Sequence, residues 1–308
     1  MQADLSRSIK EPNVRRDVKT RGEKVFNGFN YCFFILLGVI MVYPFWHVVM
    51  YSFSEVALAG TGGVFLLPRG FTLDSYRSVL MTKAVREGFL TSVLVTGIGT
   101  ALGTLVTAMT AYSLSKKRLL GSKVIMFLIF FTMLFSGGMI PSYMLIKNLK
   151  LLNNLWALIL PGLISAYNVI IMRSFFSGLP VSLEESAKID GANDLLIFFR
   201  IVFPVSYAVM ATIALFMAVG YWNDYFSTVL YITSDPSKHS LQFVLRQLLT
   251  STSSAMSSAG INVAHVQTIT TESIRSTTVV VATVPILVVY PFLQKYFVKG
   301  VMVGSIKG

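Results

Sequence analysis

The apolar positions of this chain gather into six long, almost uncharged stretches, near residues 26–52, 88–113, 124–146, 155–172, 204–223 and 276–294. A hydrocarbon core about 30 Å thick takes roughly 20 residues of helix to cross, and each stretch is close to that length or longer. All six are continuously apolar, without the every-other-residue alternation of a barrel strand. The pattern therefore predicts an all-α integral membrane protein with six transmembrane helices.

The polar segments between the stretches differ in kind. Residues 53–87, with Gly60, Gly62, Gly63 and Pro68-Arg69-Gly70-Phe71-Thr72, read as a turn-rich outer loop. Residues 225–275 read as a second outer segment, rich in Ser and Thr, with a short helix around 241–249. On the other side, residues 173–203 carry the signals of two ordered helices. Ser182 stands three residues before Glu185, the spacing of a capping box, so a helix is expected to start there. Glu184 and Lys188 fall four apart on one face, and Gly191 supplies a left-handed turn to end that helix. Asn193 or Asp194 caps a second helix over 195–202, ended by Pro204. Leu195, Leu196, Phe198, Phe199, Ile201 and Val202 make it too apolar to stand free in water.

Composition agrees with this picture: 54% of residues are hydrophobic, 13% are charged and the mean hydropathy is +0.67, whereas soluble domains carry about 25% charged residues. The net charge of +12 follows membrane sidedness and does not point to nucleic acid. With the N-terminus placed in the cytoplasm, most Lys and Arg fall on inner segments: the basic tail, Lys116-Lys117-Arg118, Lys123, Arg173, Lys188, Arg200, Lys295, Lys299 and Lys307. The positive-inside rule then puts both termini in the cytoplasm. Residues 1–25 are too charged for a cleaved signal peptide and are expected to be a cytoplasmic tail ahead of a membrane domain over 26–308. A lone Cys32 excludes an intramolecular disulfide and a cysteine-based metal cluster.

Absences narrow the function. No G-x-x-x-x-G-K-[ST] phosphate loop occurs, so any ATP chemistry belongs to a partner. The spans hold almost no ionisable groups, with His47 and Asp224 near their outer ends, whereas proton- or sodium-driven carriers place such groups at mid-membrane. A membrane-embedded enzyme would need paired carboxylates or a His-rich metal set. A mere scaffold would leave the ordered inner helix pair unexplained.

The run Glu185-Ser186-Ala187-Lys188-Ile189-Asp190-Gly191-Ala192, followed by Phe198, Arg200, Ile201 and Pro204, resembles the cytoplasmic coupling motif of permease subunits of bacterial ATP-binding-cassette importers. Ser186 stands where that family most often has Ala. Phe135-Ser136-Gly137-Gly138-Met139-Ile140-Pro141, Trp156 to Pro161, Tyr221-Trp222-Asn223-Asp224 and Lys295 to Gly300 are similar to the carbohydrate branch, in particular the subgroup named for lipoprotein-linked polysaccharide uptake. The resemblance implies a six-helix subunit with coupling helices at about 180–203. It also implies no cofactor on this chain, with ATP and Mg on the partner ATPase. The implied partners are a second permease, two ATPase subunits and an extracytoplasmic solute-binding lipoprotein, all assembled in the inner membrane. Glu185, Ser186, Ala187, Asp190, Gly191, Ala192 and Pro204 are then the coupling residues.

A sugar needs uncharged hydrogen-bonding and stacking groups, and Tyr221, Trp222, Asn223, Asp224 and Asn168 are the candidates for its path. The alternative for Tyr221 and Trp222 is an interfacial aromatic belt. Gly99 and Gly103 form a small-xxx-small pattern suited to close helix packing, with Gly97 beside them. Residues 136–141 are a helix-weakening stretch.

Overall fold

The computed structural model describes residues 21–55, 58, 63, 65–116, 118–250 and 271–305. Most of the expected basic tail, Gly60, Gly62 and residues 251–270 of the second outer segment lie outside that set. Two compact units divide the chain, residues 1–47 and 48–308.

Helix α1, Arg21–Ser52, runs unbroken through Pro44. In the first unit its aromatic side chains pair along one side, Phe29 with Phe33 and Tyr43 with His47 at ring separations of 6.4 and 5.9 Å. After it, Glu55 N–H meets the Arg69 and Gly70 carbonyls, closing the described part of the first outer loop. A short helix, α2 (Asp74–Met81), leads into α3 (Lys83–Ser115).

The central element of the second unit is α3, which packs on α7 (Ala166–Ser177), α11 (Tyr207–Asn223) and α13 (Leu241–Thr250). Its approach to α11 depends on small residues. A Cβ on Gly99 would sit 2.7 Å from the Tyr221 ring, and one on Gly103 would sit 2.1 Å from the Met217 methyl and 3.0 Å from the Leu163 carbonyl. Gly97, by contrast, faces open space. Helix α14 (Thr271–Ser305) lies against α11, α13 and α2.

Three of the expected spans are broken, not straight. The third divides into α4 (Ser122–Leu134) and α5 (Met139–Asn148), bent by 116°. Gly138 takes φ 88° and ψ 176°, a conformation open to glycine, so the helix stops before it and restarts after it. The fourth divides at residues 163–165 into α6 (Trp156–Ile159), continued by a 3-10 turn through Pro161, and α7, bent by 50°. Between them they run on to Ser177, beyond the expected end at 172.

The fifth is joined to the inner helix pair. That pair consists of α8 (Ser182–Ile189) and α9 (Asp194–Ile197), and α9 widens into a π turn over Phe198–Val202 before α10 (Phe203–Val205). Only at Ser206 does the chain bend, by 84°, into α11. Pro204 therefore does not end the helix, as its sequence position suggests. It sits in the last turn before the bend at Ser206, directly after the wider π turn over Phe198–Val202, which gives its ring room against the preceding carbonyls.

On length and apolarity two helices suffice to cross a membrane, rising to five spans among the described residues when each bent pair counts as one. The short outer helix expected at 241–249 is present as α13. Before it come α12 (Phe226–Tyr231) and a 3-10 turn at Pro236–Lys238.

Candidate functional site

The hairpin formed by α8 and α9 has two faces with different chemistry. Helix α8 does not begin with the expected capping box. Val181 already has helical dihedrals, and its carbonyl accepts from both the Glu184 and Glu185 N–H groups at 3.0 and 3.1 Å. Ser182 is consequently inside the helix, where its carbonyl accepts the Ser186 hydroxyl at 2.9 Å. Pro180 explains the shift, because its fixed φ brings the chain into helical geometry one residue earlier.

At the other end Gly191 has φ 81°. Its N–H donates to the Lys188 carbonyl at 3.0 Å, and the Ala192 N–H reaches back to the Ala187 carbonyl at 2.9 Å. That pair of bonds is the Schellman motif, which satisfies two of the carbonyls a helix end leaves over. Of the two candidate caps for the second helix, Asn193 acts: its Oδ1 accepts the Leu196 N–H at 2.8 Å.

Helical spacing then sorts the side chains. Glu184, Ala187 and Lys188 turn toward the bundle, and Ala187 is only 8% exposed. Leu183, Glu185, Ser186, Ile189, Asp190 and Gly191 are exposed, and Ile189 is 86% exposed. Leu195, Leu196 and Phe199 extend this outward apolar surface along the second helix, while Ile197, Phe198 and Val202 are buried in the core. Ala192 is half-buried against that core, and Pro204 is exposed.

The sequence names the charged residues of the hairpin and of the end of α3 but not the pairs they form. The Glu184 carboxylate does not pair with Lys188 four residues on. It is ion-paired with Lys116, just past the end of α3, and the Lys116 ammonium lies 4.0 Å from the centre of the Tyr112 ring. Arg118 binds both carboxylate oxygens of Asp194 at 2.8 and 2.7 Å, and Lys188 adds a contact at 3.2 Å. Lys188 and then Arg118 hold the Asp194 carboxyl below its usual range. The Leu114 carbonyl at the end of α3 accepts from Arg173 Nε at 2.9 Å. The only sequence signal for this network is the Lys116-Lys117-Arg118 cluster, and its acidic partners lie 68 and 76 positions away.

At the C-terminal end of α11 the candidate path residues take separate partners. Tyr221 is buried and donates its hydroxyl to the Ile159 carbonyl at 2.8 Å. Trp222 donates Nε1 to the Ala282 carbonyl at 3.3 Å and meets Phe89 edge-on at 6.0 Å. It lines an apolar cavity of about 250 Å³ with Phe89, Val93, Leu215, Pro285 and Ile286. Asn223 is exposed and bonds its own helix at the Val219 carbonyl, 2.9 Å away. Asp224 accepts the Ser227 N–H at 3.1 Å, and Asn168 is buried on α7, 6% exposed.

Nearby, Asn153 was missed by sequence reasoning, although its φ of 57° marks it. Its Oδ1 accepts the Thr233 and Ser234 N–H groups at 2.8 and 2.9 Å, and its carbonyl accepts Lys238 Nζ at 2.9 Å. Lys238 and Ser237 in turn hold the Asp235 carboxyl down to about 2. Among the described residues no three His, Cys, Asp or Glu side chains gather where a metal would sit.

Residues 29–303 match the family model of binding-protein-dependent transport system inner membrane components. The chain is 45% identical over 92% of its length to the polygalacturonan/rhamnogalacturonan transport system permease protein YtcP of Bacillus subtilis (strain 168), covering 99% of that protein. It is 43% identical over 94% of its length to protein LplC of the same organism, covering 97% of it. Among solved structures, a bacterial ABC transporter involved in the import of the acidic polysaccharide alginate contains a chain that matches with a TM-score of 0.83 and 30% identity, over 91% of this chain and 99% of that one. In this family the ATPase is a separate subunit, and a partner permease and a substrate-binding protein complete the system. The chain belongs to the binding-protein-dependent transport system inner membrane components and is an ABC-transporter permease, not an enzyme.

Proposed function

We propose that this permease forms one half of the translocation path of an ATP-driven saccharide or oligosaccharide importer in the bacterial cytoplasmic membrane. Six spans cross the bilayer over residues 26–308, both termini and the tail over 1–25 are cytoplasmic, and the hairpin at about 180–203 couples the chain to its ATPase. A second permease, two ATPase subunits that bind ATP and Mg, and an extracytoplasmic solute-binding lipoprotein complete the machine.

One observation carries the coupling role: the motif residues Glu185, Ser186, Asp190 and Gly191 lie on an outward face together with exposed Ile189, Leu195 and Phe199. A rigid apolar and acidic ridge of this kind has nothing to cover it within the described chain, and it fits a cleft on an ATPase that moves as a rigid body. Ala187 and Ala192 set the hairpin against the bundle, and Pro204 lies where it passes into α11.

The saccharide rests on the names of the relatives. Asn168, Asn223 and Asp224 contribute to the path wall, and Tyr221 and Trp222 hold the helices that carry the last two. A non-sugar solute is the second reading, and it gains from the apolar lining of the cavity beside Trp222, which offers a polyol few hydrogen-bonding partners. The test is ATP-dependent uptake by proteoliposomes holding the copurified complex and its binding protein, with labelled oligogalacturonides and neutral oligosaccharides. Uptake of one sugar class supports the proposal. ATPase stimulation by a binding protein that carries only a non-sugar solute would replace the saccharide.

A further inference from the structure

The outward face of the hairpin is where force would enter, but the inward face decides where it goes. Resting on the coupling role proposed above, we propose that Lys116 is a positioning residue: its ion pair with Glu184 ties α8 to the end of α3, so that displacement of the hairpin is passed directly to the central helix.

Four observations support this route. The pair is largely enclosed, with side-chain exposures of 22% for Lys116 and 15% for Glu184, so water does little to screen or replace it. Lys116 cannot swing freely, because its ammonium is also held over the Tyr112 ring, which packs against Phe176 and Phe198. The end of α3 is itself fixed, through the Arg173 bond to the Leu114 carbonyl and the Ser122 hydroxyl at 3.3 Å from the same oxygen. Further along, α3 meets α11 at Gly99 and Gly103 with no slack for sliding.

The hairpin is also joined covalently to the bundle at both ends, from α7 through the short link 178–181, and through the π turn into α11, which bends by 84° at Ser206. A bent, widened connection transmits a push less faithfully than an enclosed contact on a straight helix of 33 residues. The exposed Arg118–Asp194 pair, about 60% exposed on both sides, is a weaker brace on the same hairpin.

The test uses the full complex with its binding protein, reading uptake of short oligogalacturonides, ATP hydrolysis and copurification of the subunits. Lys116→Met and Glu184→Gln, singly and together, are compared with Lys116→Arg. The expected result is uptake lowered roughly tenfold or more in both single variants and in the double variant, with the effects non-additive. ATP hydrolysis and assembly persist in the double variant, so more ATP is consumed per sugar moved, and Lys116→Arg retains most uptake.

Recovery of wild-type uptake in the double variant would overturn the proposal, since the pair would then only neutralise a buried charge. Normal uptake in the single variants would overturn it too. If a single variant fails to assemble, the double variant and Lys116→Arg decide by the same criteria. Absence of oligogalacturonide uptake in the wild-type complex would remove that substrate and not the importer, and the variants would then be compared by the solute whose binding protein stimulates ATP hydrolysis, whereas normal uptake in the variants removes the link.

Discussion

The α8–α9 hairpin and the C-terminal end of α11 are both rich in polar and aromatic residues, yet they dispose of them in opposite ways. At the hairpin Glu185, Ser186, Asp190 and Gly191 point outward, Ala187 and Ala192 face the core, and Lys116 is ion-paired with Glu184 from the end of α3. At the end of α11 Tyr221 and Trp222 turn inward and give their hydrogen bonds to backbone carbonyls of other helices. A buried donor left without a partner would be costly, so these two bonds hold the Tyr221 and Trp222 side chains in place. Ile189 and Phe199 at the hairpin are left uncovered within the described chain, whereas Tyr221 and Trp222 are buried.

The largest effect that sharpens this contrast is expected for Gly191→Pro. Proline is locked near φ −65° and has no N–H, so it can neither adopt the 81° of Gly191 nor donate to Lys188. Uptake by the reconstituted complex should be lost while the chain still inserts, as followed by membrane fractionation. Normal uptake by an inserted variant would break the assignment of the hairpin.

Next is Gly99→Ala, which pushes a methyl group into the Tyr221 ring at 2.7 Å. Overpacking of this kind costs about 1–3 kcal/mol. It should appear as a lower melting temperature of the purified complex, with the ATPase still bound. Tyr221→Phe should cost about 1–2 kcal/mol by stranding the buried Ile159 carbonyl. Its apparent affinity for sugar should not change, and a large loss of affinity at unchanged stability would return Tyr221 to the substrate path.

The smallest effect is electrostatic. The carboxyl of Asp194 is depressed in the folded chain, so its contribution is present above the ordinary carboxylate pKa and is lost as pH falls through the lowered folded value. With its side chain 60% exposed, solvent screening keeps that contribution below about 1 kcal/mol. Asp194→Asn should therefore flatten only the acid limb of the stability profile, measured by thermal unfolding between neutral pH and roughly pH 3.

Local signals were legible where short-range physics decides. The apolar stretches located the helices, Gly191 announced its left-handed turn, Asn193 its cap, and residues 241–249 their short helix. Signals failed where a neighbour in space overrode them. Ser182 lost its capping role to the earlier helix entry after Pro180, and Pro204 follows a π turn in a helix that Ile197, Phe198 and Val202 anchor in the core. Glu184 left the partner on its own helix for Lys116.

The sequence by itself determined that this is a helical membrane protein with a helical hairpin before its fifth apolar stretch, because hydrophobic length, turn chemistry and helix caps act over a few residues. Only the tertiary structure decided which side chains face the bundle, which helices bend and which charges meet. Pairs such as Lys116 with Glu184, 68 positions apart, are brought together by the packing of α3, α7 and α11, and no local pattern encodes that meeting.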